Sequence, residues 1–304
     1  MDHPSPTHRP GPPSTEAREV ELERARATER ASSSERRMFE LVCAYADDDV
    51  FVLVKPTRAY VDDVIDAVRT DGVVRVIRDA REGGRETKLC GEEARCCHRL
   101  DRDTSGALIF ARNGNAVKSL AGQFARGTVT KRYVALCAVV DDADEGTWGS
   151  GDLVRVESGH GRARYGLYRL YDVNDVDRDL PGNNRVKRCV TTIRVERVVE
   201  GVELEYCEPE RDGSNARLAL ARCSPITGRT HQIRLHCASL GLPLAGDVRY
   251  GGPIRVKSCA SASTSAIGDL PGALLHAEAI TFRHPRTGED VTVTVDPPDW
   301  AHIE

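Results

Sequence analysis

No stretch of this 304-residue chain approaches the ~20 apolar residues needed to cross a bilayer. The start, Met1-Asp2-His3-Pro4, lacks the basic and apolar regions of a secretory signal, and the acids beyond it do not suit an organellar transit peptide. Cytosol or nucleus is the expected location, with an organelle left open. Ten cysteines are scattered without any Cys-x-x-Cys, and the adjacent pair Cys96-Cys97 fits neither a disulfide nor zinc-ligand spacing. Reduced, mostly buried thiols are expected, and no metal. Neither a Walker phosphate loop nor a dinucleotide fingerprint is present, so no nucleotide cofactor is indicated. There is no internal repeat at solenoid or propeller spacing. Excess positive charge is also missing, since the formal net charge is -4.

What is present suits a globular protein, with 40% apolar and 30% charged residues in enough chain for one large domain or two small ones. The charges are unevenly placed. Arg112 to Arg132 holds five basic residues and no acid, and Arg222 to Lys257 holds six with only Asp247 opposing them. Acids collect elsewhere, as in Asp141-Asp142-Ala143-Asp144-Glu145. Such a distribution suits a local phosphate-binding surface on an acidic body, or else ordinary solvated faces. Residues 1–15 carry five prolines and are expected to be disordered; residues 16–40 mix seven acids and six bases with little to bury, as in a solvated helix or tail. The folded domain is expected over 41–304, with an irregular insertion at about 141–188 and a short hairpin near Tyr165 to Tyr168.

One polar cluster stands out: His98-Arg-Leu-Asp101-Arg-Asp103-Thr104-Ser-Gly106, running directly into the apolar Ala107–Ala111. The apolar run has the length of a buried strand, which gives rigid support to residues held at its mouth. An aspartate so placed, beside arginines that keep it ionised, can be a nucleophile or a proton acceptor. It can equally cap a turn or pair with Arg99 or Arg102 for structural reasons.

The nine residues resemble the signature of the RluA-type pseudouridine synthases, which isomerise uridine to pseudouridine in structured RNA. The resemblance makes Asp101 the catalytic residue. Three more segments extend it. Val129-Thr-Lys131-Arg132-Tyr133-Val-Ala-Leu136 alternates as a strand and is similar to the family's Lys-x-Tyr motif, whose tyrosine lies against the target base. Ser224 to His236, containing Arg229-Thr-His231-Gln232-Ile-Arg234, resembles the third motif, whose arginine pairs with the catalytic aspartate. Alternation there puts Thr230, Gln232 and Arg234 on one face of an expected strand. Leu240 to Gly251 resembles a later Gly-Asp-x-x-Tyr-Gly motif, with Leu242 where a histidine is usual. The opening strand Val50–Val54 ends in Lys55-Pro56, but Thr57-Arg58 replaces the family's small residue and glycine. In all, the likeness covers about residues 48–298.

The resemblance implies an α+β pseudouridine synthase-like fold, a mixed and mostly antiparallel curved sheet with flanking helices around a cleft. It implies Asp101, Tyr133 and Arg234 as catalytic residues. Arg99, His98, Lys131, Arg132, Thr104, Arg229, His231 and Gln232 are expected at the RNA. RNA is the expected partner (ribosomal, transfer or messenger), with no cofactor, no metal, no membrane and a monomeric state. His231 and His236 lack a third ligand at metal-site spacing, so structural or RNA-contacting roles are expected for both. Two other readings use the same residues. A glycoside hydrolase would need a second carboxylate, from Asp103 or Asp247, and would leave the basic flanks unexplained. An RNA-binding protein of the same fold that has lost turnover would fit the altered Lys-Pro loop and Leu242.

Overall fold

A computed structural model describes residues 41–70, 73–76, 85–88, 94–140, 148–163, 167–208, 211–259, 268 and 270–303. The expectations for residues 1–40 and for the acidic run at 141–145 lie outside them. The described chain forms sixteen strands and three α-helices. The first six strands are β1 (Val42–Ala46), β2 (Val50–Lys55), β3 (Val73–Val76), β4 (Arg85–Lys88), β5 (Arg95–Cys96) and β6 (Ser105–Ala111). Then follow β7 (Thr130–Val139), β8 (Leu153–Arg162), β9 (Tyr168–Tyr171), β10 (Asp179–Leu180) and β11 (Asn184–Arg185). The last are β12 (Lys187–Glu205), β13 (Ala216–Pro225), β14 (Arg255–Cys259), β15 (Leu275–Arg283) and β16 (Asp290–Thr294). The helices are α1 (Val61–Thr70), α2 (Gly114–Arg126) and α3 (Gln232–Ser239).

One large sheet runs in the order β4-β3-β1-β2-β6-β15-β7-β13-β12-β8-β9, with β5, β14 and β16 pairing at its sides. The β1–β3 and β6–β15 pairs are parallel and the others antiparallel, so the sheet is mixed and mostly antiparallel. Its centre is apolar on both faces. Val50 and Val52 of β2, with Ala107, Ile109 and Ala111 of β6, pack under Ala116 and Leu120 of α2. The alternate residues Phe51 and Phe110 stack on the opposite face, ring centroids 4.9 Å apart. Burial on two faces explains why both strands read as unbroken apolar runs. Helix α2 starts at Asn113, whose side chain accepts from the Ala116 N–H, and stops at Gly127 in the left-handed conformation.

Two expectations need correction. The segment 149–188 is not irregular: β8 pairs residue by residue with β12 from Leu153 to His160, and β9 folds back on β8 as a hairpin. Gly159 and Gly161 hid this strand, yet they are what the packing demands there. A Cβ on Gly159 would lie 2.6 Å from Val186, and one on Gly161 2.6 Å from Leu180. The 230–236 segment is not a strand either. It is the short helix α3, entered through His231 in a left-handed conformation (φ 56°). Over eight residues that are nearly all buried, a period of 2 cannot be told from one of 3.6.

The turn into β6 depends on Gly106. Its φ is +107°, and a Cβ there would fall 2.3 Å from the Ala277 carbonyl oxygen of parallel β15. No side chain fits without parting the two central strands. Gly106→Ala is therefore expected to lose about 2–4 kcal/mol of unfolding free energy, or to yield no soluble protein. Urea unfolding followed by far-UV circular dichroism checks this, and a midpoint matching the parent would contradict the packing described.

Candidate active site

Three elements converge on one point. Asp101 sits in the loop before β6, Tyr133 near the start of β7, and Arg234 in α3. The loop is held from below. Lys55, fully buried at the end of β2, donates its ammonium to the carbonyls of Pro56 (2.8 Å), Ala59 (2.6 Å) and Arg102 (2.9 Å). Thr57 adds a bond to the Asp103 carbonyl, and the Thr104 N–H closes a turn on the Asp101 carbonyl at 3.2 Å. Burial lowers the Lys55 pKa to about 8, with Asp103 and Asp101 acting to keep it charged. Arg58 takes a left-handed conformation (φ 60°), a geometry glycine adopts without strain. Its side chain reaches the Pro271 carbonyl at 2.7 Å, so the altered loop is locked in its own way.

Helix α3 lies over the face of β7 and β13 that carries Tyr133, where the thiols of Cys137 and Cys223 meet Cys237. Gln232 fixes the helix start. Its amide oxygen accepts from the Arg229 N–H and the Thr227 hydroxyl, and its nitrogen donates to Val190 and Thr191 on β12. His236 bridges Ser158 and Thr191 from within the core. Leu242, which replaces a polar residue of the motif, is fully buried, so the exchange keeps this corner apolar.

Arg234 is the electrostatic centre. It makes a bidentate pair with the buried Asp247 (2.6 and 2.7 Å), and a third nitrogen lies 3.6 Å from Asp101 Oδ2. Its ring neighbour is Tyr250, whose centroid is 5.0 Å from the guanidinium carbon. Burial opposes the Arg234 charge, but Asp247 and Asp101 more than compensate and its pKa is raised. For Asp101, burial raises the pKa above the usual carboxylate value, and Arg234, Lys55 and Arg249 pull it back. The carboxylate retains 27% exposure, so it opens to a substrate while ringed by three cations. Tyr133 is buried and its phenol is held neutral, by burial first and by Asp101 second. The site thus offers a carboxylate beside three cations, a neutral aromatic ring and a fixed guanidinium.

The other expected residues divide. His231 joins the centre, its Nε2 3.9 Å from Asp101 Oδ2. Arg99 is exposed beside it in sequence. Thr104 is buried, and Gln232 spends its bonds on the fold as described above. His98 packs on Phe124 (5.2 Å), and its Nε2 accepts from the Ile109 N–H, with burial lowering its pKa to about 4. Arg132 reaches Glu278, which also takes Arg222, and Arg229 donates to the Arg188 carbonyl at 3.2 Å. Lys131 is partly buried, which lowers its pKa. Among the described residues one trio has metal-ligand spacing, Asp47, Asp49 and His284, remote in sequence from all of these. Sequence does not mark Lys55, Tyr168 or Tyr250 as site residues, and offers Asp247 only as a second carboxylate. In the structure Lys55, Asp247 and Tyr250 touch the centre from motif segments, and Tyr168 reaches it through the His231 ring.

Comparisons with known proteins fit this geometry. Residues 83–239 match the family described as RNA pseudouridylate synthase. RNA pseudouridine synthase 1 of Arabidopsis thaliana is 31% identical, over 99% of this chain and 88% of its own. Ribosomal large subunit pseudouridine synthase C of Escherichia coli is 31% identical over 89% of this chain and 73% of its own. The solved structure of human RNA pseudouridylate synthase domain containing 1 overlays with a TM-score of 0.54 at 24% identity, covering 85% of this chain and 84% of that one. The likeness runs through every element that carries the site, and the chain belongs to the RNA pseudouridylate synthase family.

Proposed function

We propose that Asp101, Tyr133 and Arg234 carry out the isomerisation of uridine to pseudouridine at this site, on ribosomal RNA in the first instance. The observation that carries the assignment is the 3.6 Å approach of Arg234 to Asp101 from a helix remote in sequence, with Arg234 itself clamped by Asp247. The reaction breaks the bond between ribose C1′ and uracil N1, turns the base, and joins C1′ to C5. The C5 proton is lost and N1 gains one, so atoms and electrons balance without an added reactant. Asp101 can begin this by attacking ribose or base, or by taking a ribose proton. Each of these needs the ionised carboxylate that the surrounding cations favour.

A stacked base cannot reach a carboxylate in such a loop, so the uridine is flipped into the site. Tyr133 offers the uracil a flat, uncharged face. Arg99, exposed two residues before Asp101, is suited to fill the space the base vacates. Ribosomal RNA is favoured because the similar Escherichia coli protein is named for the large ribosomal subunit.

Asp101→Asn is expected to be folded, to bind RNA and to be inactive. Carbodiimide mapping of pseudouridine in total RNA, from cells carrying the parent or the variant, reads this directly. Stops lost in ribosomal RNA support the reading; stops lost only in transfer or messenger RNA redirect the substrate; an unchanged map removes Asp101 from the chemistry. A second prediction concerns pH. Arg234 lowers the Asp101 pKa, so Arg234→Gln should move the acid limb of the single-turnover pH profile to higher pH. The rate on the plateau should fall on the order of 10²-fold from lost alignment. Arg234→Lys, which keeps the charge, should leave the limb nearer its original place. An acid limb unmoved in Arg234→Gln would break the proposed link.

A further inference from the structure

The proposed mechanism leaves one titratable group at its centre without a task, and that group is His231. Its side chain is only 13% exposed, and its Nε2 faces Asp101 at 3.9 Å, beyond hydrogen-bond reach. The backbone is left-handed (φ 56°), a conformation costly for a residue with a Cβ and kept only where the surroundings impose it. Backbone bonds from Gln232 to Arg229 and from Leu235 to His231 hold the turn, and the ring is held by Tyr250, whose hydroxyl lies 2.8 Å from His231 Nδ1.

The geometry also bears on where the imidazole proton lies. Nδ1 has the Tyr250 hydroxyl as its partner, and Nε2 faces a carboxylate oxygen of Asp101. A carboxylate favours an N–H over a lone pair opposite it, so the neutral imidazole is assigned its proton on Nε2, with Nδ1 accepting from the phenol. Several groups face the ring. Burial, Arg234 and Arg249 disfavour the imidazolium, with His160 adding to them and Asp247 opposing, and the pKa falls to about 3. Tyr168 contacts the ring edge-on at 5.7 Å. The imidazole therefore stays neutral in working conditions and cannot act as an acid. It remains a fixed, uncharged ring whose Nε2 faces the reacting carboxylate.

We propose that His231 is a further catalytic residue, whose Nε2–H donates a hydrogen bond to a carbonyl oxygen of the uracil as the C1′–N1 bond breaks. The inference rests on Asp101 being the reacting carboxylate. When that bond breaks, the electron pair passes to the base and spreads onto O2 and O4. A preorganised donor at either oxygen stabilises the departing anion, as oxyanion donors do elsewhere. A neutral donor binds the anion without forming the tight ion pair that would hinder the base from turning.

The test is a cycle between enzyme and substrate. Single-turnover rates are measured on an RNA the parent protein modifies, bearing uridine, 2-thiouridine or 4-thiouridine at the target. His231→Asn tolerates the left-handed backbone and can still bond Tyr250, but it has no N–H at the Nε2 position. Its rate on uridine should fall about 10²-fold. Sulfur is a poor acceptor, so the loss should shrink on whichever thio-substrate lacks the oxygen that His231 serves. His231→Gln, which can place an amide N–H near that point, should recover part of the rate. Equal losses on all three substrates indicate a merely structural histidine and overturn the proposal, as does a parent-like rate for His231→Asn on uridine. Asp101→Asn, run alongside, separates the two ideas: turnover by that variant defeats the carboxylate assignment, whatever the His231 cycle shows.

Discussion

Everything at the site depends on one buried guanidinium shared by two carboxylates. Arg234 could not be buried alone, because an unpaired charge in the interior costs far more than the fold can spare. Asp247, itself almost wholly buried, neutralises it through two short bonds and fixes the plane of the guanidinium. The remaining nitrogen is thereby aimed at Asp101, at a looser 3.6 Å. The asymmetry has a chemical use. A tight bidentate pair with Asp101 would tie up both of its oxygens, whereas the longer contact favours the charged form and leaves the carboxylate free to react. Removing either end of such a buried pair typically costs about 3–5 kcal/mol, so positioning and stability are joined here.

The reacting loop needs a second anchor, and Lys55 supplies it. Three carbonyls from two segments converge on one ammonium, which spends its donors on geometry. The same charge adds to the field around Asp101. Gly106 completes the support by letting β6 and β15 approach more closely than any side chain permits. The loop is thus fixed at its carbonyls, at its turn and at its exit, while its carboxylate remains exposed enough to react.

Basic residues near the motifs do not all face outward with charge to spare. Arg132 and Arg222 share Glu278, an acid 4% exposed on β15. Together they form a local network that ties β7, β13 and β15 and reduces the positive field offered to phosphates. The two basic stretches therefore divide their charge between holding strands together and presenting a surface. Net charge along a sequence cannot separate those uses, since they differ only in where the nearest acid lies.

The sequence by itself determined the chemistry-bearing residue types, the apolar strands β2 and β6, and the alternating β7. Each is a local signal: a run or a period. Resemblance over four motifs then indicated which positions should meet. Tertiary structure alone decided the rest. Strand β8 was hidden by glycines that are required by close approach of Val186 and Leu180, and helix α3 by burial so complete that no periodicity survives. Asp247 was in a recognised motif, yet its partner was not deducible, because a bidentate contact depends on how a helix and a turn lie across each other. The setting of the His231 ring, between the Tyr250 hydroxyl and the Asp101 carboxylate, comes from segments distant in sequence. Local signals fix what a segment is, but long-range contacts fix which atom faces which.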